Sequence, residues 1–358
     1  MIHPDCFTIA WLQAKRREIR AGDPALLERA LHALALLGHL AESGLDFVFK
    51  GGTSLLLHVP VIRRLSIDID ILCGAPPEEL IRALDEVSKV SPFIRYQEDS
   101  RGARGLPNRR HFRFFYNPLL PGNPTPYVFL DVVEEHDVPH DVIEKSIAPR
   151  ILDIRREVFV KVPTIESLLA DKLCAFAPRT IGVPFEPENG HAADSMQIVK
   201  QLFDVGELFS LAEDLPAVRR VYQRVFDQEN VYRGSHFSQG DALQDTLDVS
   251  LNLCLPPVGG PELSPVATML LDGVRKLMSH LVNHRFNPDD AKLAAAKAGL
   301  LTRLIAKGDS GESLDSWRRM PGMDSLRDML IDGEWNRLNR LKAVNPEAFY
   351  YWYQASRL

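Results

Sequence analysis

Between residues 65 and 71 the chain alternates without exception. Leu65, Ile67, Ile69 and Ile71 are apolar, and Ser66, Asp68 and Asp70 fall between them. Period-two patterning over residues 65–72 predicts a half-buried strand with one face on a core. The same period turns two carboxylates onto the other face, where they repel and lose hydration unless a countercharge arrives. Just upstream, an apolar run at 45–49 ends in Lys50-Gly51-Gly52-Thr53-Ser54, followed by apolar residues to Val59 and then Pro60. That order predicts a short strand, a glycine turn and a helix stopped by the proline. Any fold for this chain must hold this strand–turn–helix–strand unit together.

The surroundings are those of an ordinary globular chain. Leucine and alanine recur at three- and four-residue steps over residues 25–41, which predicts an amphipathic helix. That stretch carries Glu28, Arg29, His32 and His39, so it is too short and too charged to cross a bilayer. A 45% hydrophobic share beside 25% charged residues excludes wholesale disorder and a fibrous fold. Cys6, Cys73, Cys174 and Cys254 have no paired spacing, which argues against a zinc module and a disulfide scaffold. The opening Met1-Ile2-His3-Pro4-Asp5 lacks the basic-then-apolar order of a signal peptide. The expectation is a cytoplasmic protein with no membrane partner.

Further strands are predicted at 93–97, 111–116 and 127–134, and a helix at 76–90. Thr164 is placed to cap a helix whose apolar stripe is Ile165, Leu168, Leu169, Leu173 and Phe176. Helical periodicity dominates from about 195 onward. The expected organisation is an α/β domain over 1–155 and a helical domain over 156–358.

Paired strand carboxylates are hard oxygen ligands that suit Mg²⁺ or Mn²⁺, ions that keep waters or phosphate oxygens in their shell. A glycine pair opening a helix lets backbone N–H groups approach a phosphate. Taken alone, each feature has an ordinary explanation, a plain turn or a solvated strand end. Together they describe a site for a metal-chelated nucleoside triphosphate. No Gly-x-Ser-x-Gly elbow, Walker loop or Rossmann glycine triplet is present.

Gly51-Gly52-Thr53-Ser54-Leu55, preceded by Lys50, and Arg64-Leu65-Ser66-Ile67-Asp68-Ile69-Asp70 resemble the signature of AbiEii/AbiGii-type nucleotidyltransferases. These are toxin components of bacterial toxin–antitoxin and abortive-infection systems, within the DNA polymerase β-like superfamily. The resemblance covers about residues 26–210. It implies an α+β fold: a polymerase-β-like mixed sheet with flanking helices, then a mostly helical C-terminal domain. It also implies metal-dependent transfer of a nucleoside monophosphate from an NTP to an RNA acceptor, with tRNA 3′ ends foremost, by a toxin that a separate antitoxin neutralises. Asp68 and Asp70 would hold Mg²⁺ or Mn²⁺ with a third acid, Asp131 on the strand at 127–134, and Glu134 as fallback. Lys50, Gly51, Gly52, Thr53, Ser54, Arg64 and Ser66 would line the nucleotide. The segment 165–176 resembles the family helix whose lysine, here Lys172, meets the triphosphate from the second domain. Residues 200–205 resemble the next element; Asp204 keeps one of its acids, while Gln201 stands where the other is usual. The connection at 180–195 either borders the cleft or is a surface insertion.

Residues 95–113 carry six arginines against Glu98 and Asp99, a net +4 in a chain whose formal charge is −6. Arg101, Arg104, Arg109, Arg110 and Arg113 are the candidates for gripping acceptor phosphates; a solvated hairpin with paired surface charges is the other reading. His280 and His284 lack a third ligand and read as ordinary helix histidines. The aromatic run Phe349-Tyr350-Tyr351-Trp352-Tyr353 is expected to dock into a core. Nucleotidylation of a protein or small-molecule hydroxyl, or a non-catalytic NTP-binding regulator, would share the acid site without needing the arginines.

Overall fold

The leucine-rich segment forms a 19-residue helix because its apolar residues recur on the helical period and because both ends are satisfied. Asp23 caps the amide of Ala25, and Pro24 occupies the first turn. In the computed structural model the described residues are 1–21, 23–99, 107–122, 124–185, 194–255, 263–308 and 311–358. They divide into two compact units, Met1–Thr164 with Ser279–Arg285, and Ile165–Met278 with Phe286–Leu358. No helix among them is long and apolar enough to cross a membrane. All four cysteines are buried and unpaired.

The first unit begins with α1 (Ile9–Glu18) and α2 (Pro24–Glu42). It continues through β1 (Val48–Lys50), α3 (Gly51–Ser54), β2 (Ile69–Leu72), α4 (Pro77–Val87), β3 (Phe93–Asp99), β4 (Arg109–Tyr116), β5 (Tyr127–Val133), β6 (Val142–Ser146) and β7 (Phe159–Pro163). The strands form one sheet in the order β3-β4-β5-β2-β1-β7-β6. β2 runs parallel to β5 and β1 parallel to β7, with the other neighbours antiparallel, so the sheet is mixed. The expected mixed sheet with flanking helices is thus the fold observed.

α2 and α4 pack on this sheet. Fully buried side chains face them from alternate strand positions: Ile69 and Ile71 on β2, Phe112 and Phe114 on β4, Val128 and Leu130 on β5. The intervening positions, with Asp70, His111 and Asp131, belong to the opposite face.

Three elements differ from expectation. The strand predicted over 65–72 begins only at Ile69, because the stretch before it is engaged elsewhere. Leu65 N–H donates to His280 O, Val282 N–H donates to Arg63 O, and Arg64 bridges to Leu281. The helix predicted up to Val59 is a single turn, α3, followed by a 3₁₀ turn at Leu55–Leu57. β6 and β7 are not among the predicted strands; Val142, Ile143 and Phe159 are exposed there, so no clean alternation marks them.

The second unit contains α5 (Ile165–Ala175), α6 (Ser195–Phe209), α7 (Leu215–Tyr232), α8 (Gln239–Cys254), α9 (Pro265–Leu277) and α10 (Pro288–Lys307). α10 packs on α6, on α8 and on the closing helix Pro346–Ser356. The aromatic run on that helix docks as expected: Phe349, Tyr350, Tyr351 and Trp352 are buried. Gly299 makes room, since a Cβ there would stand 2.5 Å from Trp352 Cη2.

Candidate active site

Strand register assembles the site. Lys50 on β1 pairs with Asp70 on β2, Asp70 with Asp131 on β5, Asp131 with His111 on β4, and His111 with Asp99 on β3. Residues directly paired across neighbouring strands point to the same face, about 5 Å apart. One rung across five strands therefore reads Lys, Asp, Asp, His, Asp on the face away from α2. Two carboxylates side by side repel, so the rung is built to receive positive charge.

The glycine turn closes on the acids. Gly51 has φ +77°, and a Cβ there would overlap the Asp70 carboxylate. Only a residue without a side chain lets the backbone take this conformation and lie directly under that carboxylate. A Cβ on Gly52 would stand 2.8 Å from Arg64 Nη2 and 3.2 Å from Ser66 Oγ. The second glycine therefore seats the Arg64 guanidinium and the Ser66 hydroxyl against the turn. Thr53 Oγ1 donates to Asp68 O at 2.6 Å, and Ser54 Oγ donates to Gly51 O at 2.8 Å. Both residues are fully buried. Local pattern does not separate such hydroxyls from nucleotide ligands; here they fix the backbone of the turn and of Asp68.

His111 Nδ1 lies 2.7 Å from Asp131 Oδ1, so an imidazole N–H donates to that carboxylate and holds its orientation. His111 escaped the sequence reading, because the contact exists only through the β4–β5 register. Glu134, the fallback third acid, is engaged by Asn108 and stands 3.8 Å from Arg110 Nη1. It lies off the rung.

Strand parity divides the arginines. Arg109 and Arg113 share the His111 face, whereas Arg110 lies with Phe112 and Phe114 on the other. Arg110 grips Glu98 through two bonds of 2.7 and 2.9 Å, which hold that carboxyl below its usual range. Arg101 and Arg104 lie outside the described residues, as do Pro187, Gly190 and His191 of the 180–195 connection.

In the second unit, Lys172 on α5 and Asp204 on α6 are buried, and the two helices pack together. Lys172 Nζ is 3.7 Å from Asp171 Oδ2.

Among the described residues no three His, Cys, Asp or Glu side chains form a metal cage by themselves. Mg²⁺ rarely requires one: one or two carboxylates suffice when water and phosphate oxygens complete its octahedron. The Asp70–Asp131 pair, with Asp68 one residue before β2, fits that demand in donor type and placement. A cavity of about 810 Å³ lined by Met1, Phe7, Leu34, His39, Pro92 and Val158 shares no residue with the rung.

Residues 35–296 match the family profile described as nucleotidyl transferase AbiEii toxin, type IV TA system. Among solved structures, the chain is similar to MenT4, a nucleotidyltransferase toxin from Mycobacterium tuberculosis H37Rv. The likeness has a TM-score of 0.54 at 15% identity and covers 94% of this chain and 97% of that one. JHP933 from Helicobacter pylori matches with a TM-score of 0.40 at 16% identity, over 78% of this chain and 93% of that one. No curated protein sequence matches.

Proposed function

The chain belongs to the AbiEii nucleotidyltransferase toxin family of type IV toxin–antitoxin systems, and from that premise we propose that it transfers a nucleoside monophosphate from an NTP to the 3′ end of an RNA, tRNA foremost. The observation that carries this reading is the Asp70–Asp131 pair lying against the Gly51 turn. A divalent ion, Mg²⁺ or Mn²⁺, held by Asp68, Asp70 and Asp131 would supply Lewis-acid stabilisation of the charge that develops on phosphate oxygens. Lys50 and Arg64, flanking the acids, add fixed positive charge on the triphosphate side. Gly51 and Gly52 bring backbone close to the phosphates, and Ser66 adds a hydroxyl at the same edge. Lys172 and Asp204, both buried in the helical unit, are assigned to the nucleotide by the family pattern. Arg109 and Arg113 belong to the acceptor, as would Arg101 and Arg104. The loose transition state of phosphoryl transfer asks mainly for positioning and charge neutralisation, which suits a site made of acids, cations and backbone. Type IV membership brings with it a separately encoded antitoxin as partner.

The test is incubation of the full chain with Mg²⁺ and each α-labelled NTP in the presence of total cellular RNA and protein. Label on RNA supports the reading. Label on protein alone redirects it to protein nucleotidylation, and absence of turnover leaves a nucleotide-binding regulator.

A further inference from the structure

Beside the acid rung, on the same face of β5, β4 and β3, lie two further rungs made of aromatic rings and arginines. Phe129 pairs with Arg113, and Tyr127 pairs with Phe115, which in turn pairs with Arg95. The rings form a continuous chain, with centroids 5.7 Å apart for Phe115–Tyr127 and 5.0 Å for Tyr127–Phe129. Arg95 lies over Phe115 at 3.5 Å, and Arg113 lies 5.2 Å from the Tyr127 centroid and 5.9 Å from that of Phe129. Asp99 holds the Arg113 guanidinium there through a 2.7 Å bond. Tyr127 and Phe129 are half-buried and Arg95 is exposed.

Resting on the nucleotidyltransferase reading above, we propose that this face is the platform for the acceptor: an unpaired 3′ end of RNA, its last bases stacked on Tyr127 and Phe129. Three observations converge. In-line displacement sets the attacking and leaving oxygens on opposite sides of the phosphorus. With the triphosphate on the β1–α3 side at Gly51, the acceptor hydroxyl arrives from the β5–β4–β3 side, where these rings stand. The chemistry is that of single-strand recognition, rings that stack any base and cations that follow the phosphates. Two cations stand on this face as well, Arg95 and Arg109, beside an Arg113 whose charge Asp99 already meets. A paired end would hide the base faces that the rings need, so the platform selects a single strand over a blunt duplex.

The experiment measures binding of a fluorescent five-nucleotide RNA with a free 3′ hydroxyl, and of a blunt duplex of the same sequence, to the full chain by anisotropy. Label transfer to the same RNA from an α-labelled NTP is followed in parallel. The variants are Tyr127→Leu and Phe129→Leu, which keep apolar volume while removing the stacking plane, and Arg95→Gln. A thermal shift on adding Mg²⁺ and NTP reports that each variant is folded and loaded. The expected result is about a tenfold weaker affinity for the single strand in each Leu variant, a matching rise in KM for RNA, and unchanged KM for NTP. Unchanged RNA affinity and KM in the Leu variants, or equal binding of the duplex by the wild type, overturns the platform while leaving RNA transfer in place. A wild type that labels protein and never RNA overturns the RNA-transfer reading, and the platform with it.

Discussion

Gly51 is the residue on which the site depends most directly, because two demands meet in it. Its φ of +77° carries about 1–2 kcal/mol of strain for any L side chain, and the space above it is taken by the Asp70 carboxylate. Gly51→Ala is therefore expected to lower stability by at least that strain and to cut transferase activity more than tenfold, as Asp70 is displaced; urea unfolding and label transfer measure both. Asp70→Asn separates the two effects. Asparagine keeps the shape of the side chain and lifts the repulsion from Asp131, so the metal-free variant should stay folded with a melting temperature near that of the wild type. Its transferase activity should fall by about a hundredfold or more, equivalent to about 2.7 kcal/mol of transition-state stabilisation, and the Mg²⁺-dependent thermal shift should shrink. A metal-free melting temperature well below that of the wild type would show that the acid pair is structural.

At the scale of elements, what was legible depended on whether a pattern was local. The Asp68–Asp70 spacing, the glycine pair and Asp131 among Val128, Leu130 and Val132 were readable, because each lies within one strand or turn. The position of β2's start was not, since Arg64 and Leu65 are recruited by Leu281 and His280, more than 200 residues on in sequence. His111 needed the β4–β5 register. The split of the arginines did not: period two over 109–116 already assigns Arg110 to the face of Phe112 and Phe114. α2 carries a prediction of its own. His32, fully buried, donates from Nδ1 to Glu28 O at 2.8 Å and stacks on Tyr116 at 3.7 Å, while its Nε2 is buried without a partner. Burial lowers its pKa from 6.5 to about 4, and burial followed by the charge of Lys145 lowers His58 to about 4 as well. The unfolded chain therefore binds more protons between pH 6.5 and 4, and stability falls as pH drops through that window, by about 2 kcal/mol per imidazole at pH 5. Burial raises the Glu28 carboxyl, so it takes up a proton earlier in the folded form and offsets part of this loss. Urea unfolding at pH 7.5 and 5 should show the decline, and His32→Leu should reduce it by about 2 kcal/mol, leaving the His58 share; an equally steep decline in that variant would assign the acid sensitivity elsewhere.

For the whole molecule, the proposed RNA acceptor would meet a chain of net charge −6, in which the division of charge between faces decides where it could bind. An acidic chain repels a polyanion at long range, so attraction must come from a few arginines close to the strand and from stacking. Single-stranded binding loses affinity with salt at a log–log slope of about −0.7 per phosphate neutralised. Arg95 and Arg109, with Arg113 already paired to Asp99, then give a shallow slope of about −1.4, and stacking supplies the salt-insensitive remainder. Arg109→Gln and Arg95→Gln should each reduce the slope by about 0.7 and leave NTP affinity alone. Arg110→Gln should leave the slope unchanged, since that guanidinium is committed to Glu98 on the opposite face. Anisotropy titrations between 50 and 300 mM salt, on the order of the range where the counterion effect is linear, read these slopes directly. A slope that falls in Arg110→Gln and holds in Arg109→Gln would move the acceptor to the helix-covered face, and with it the in-line geometry that joins the arginines to Asp131.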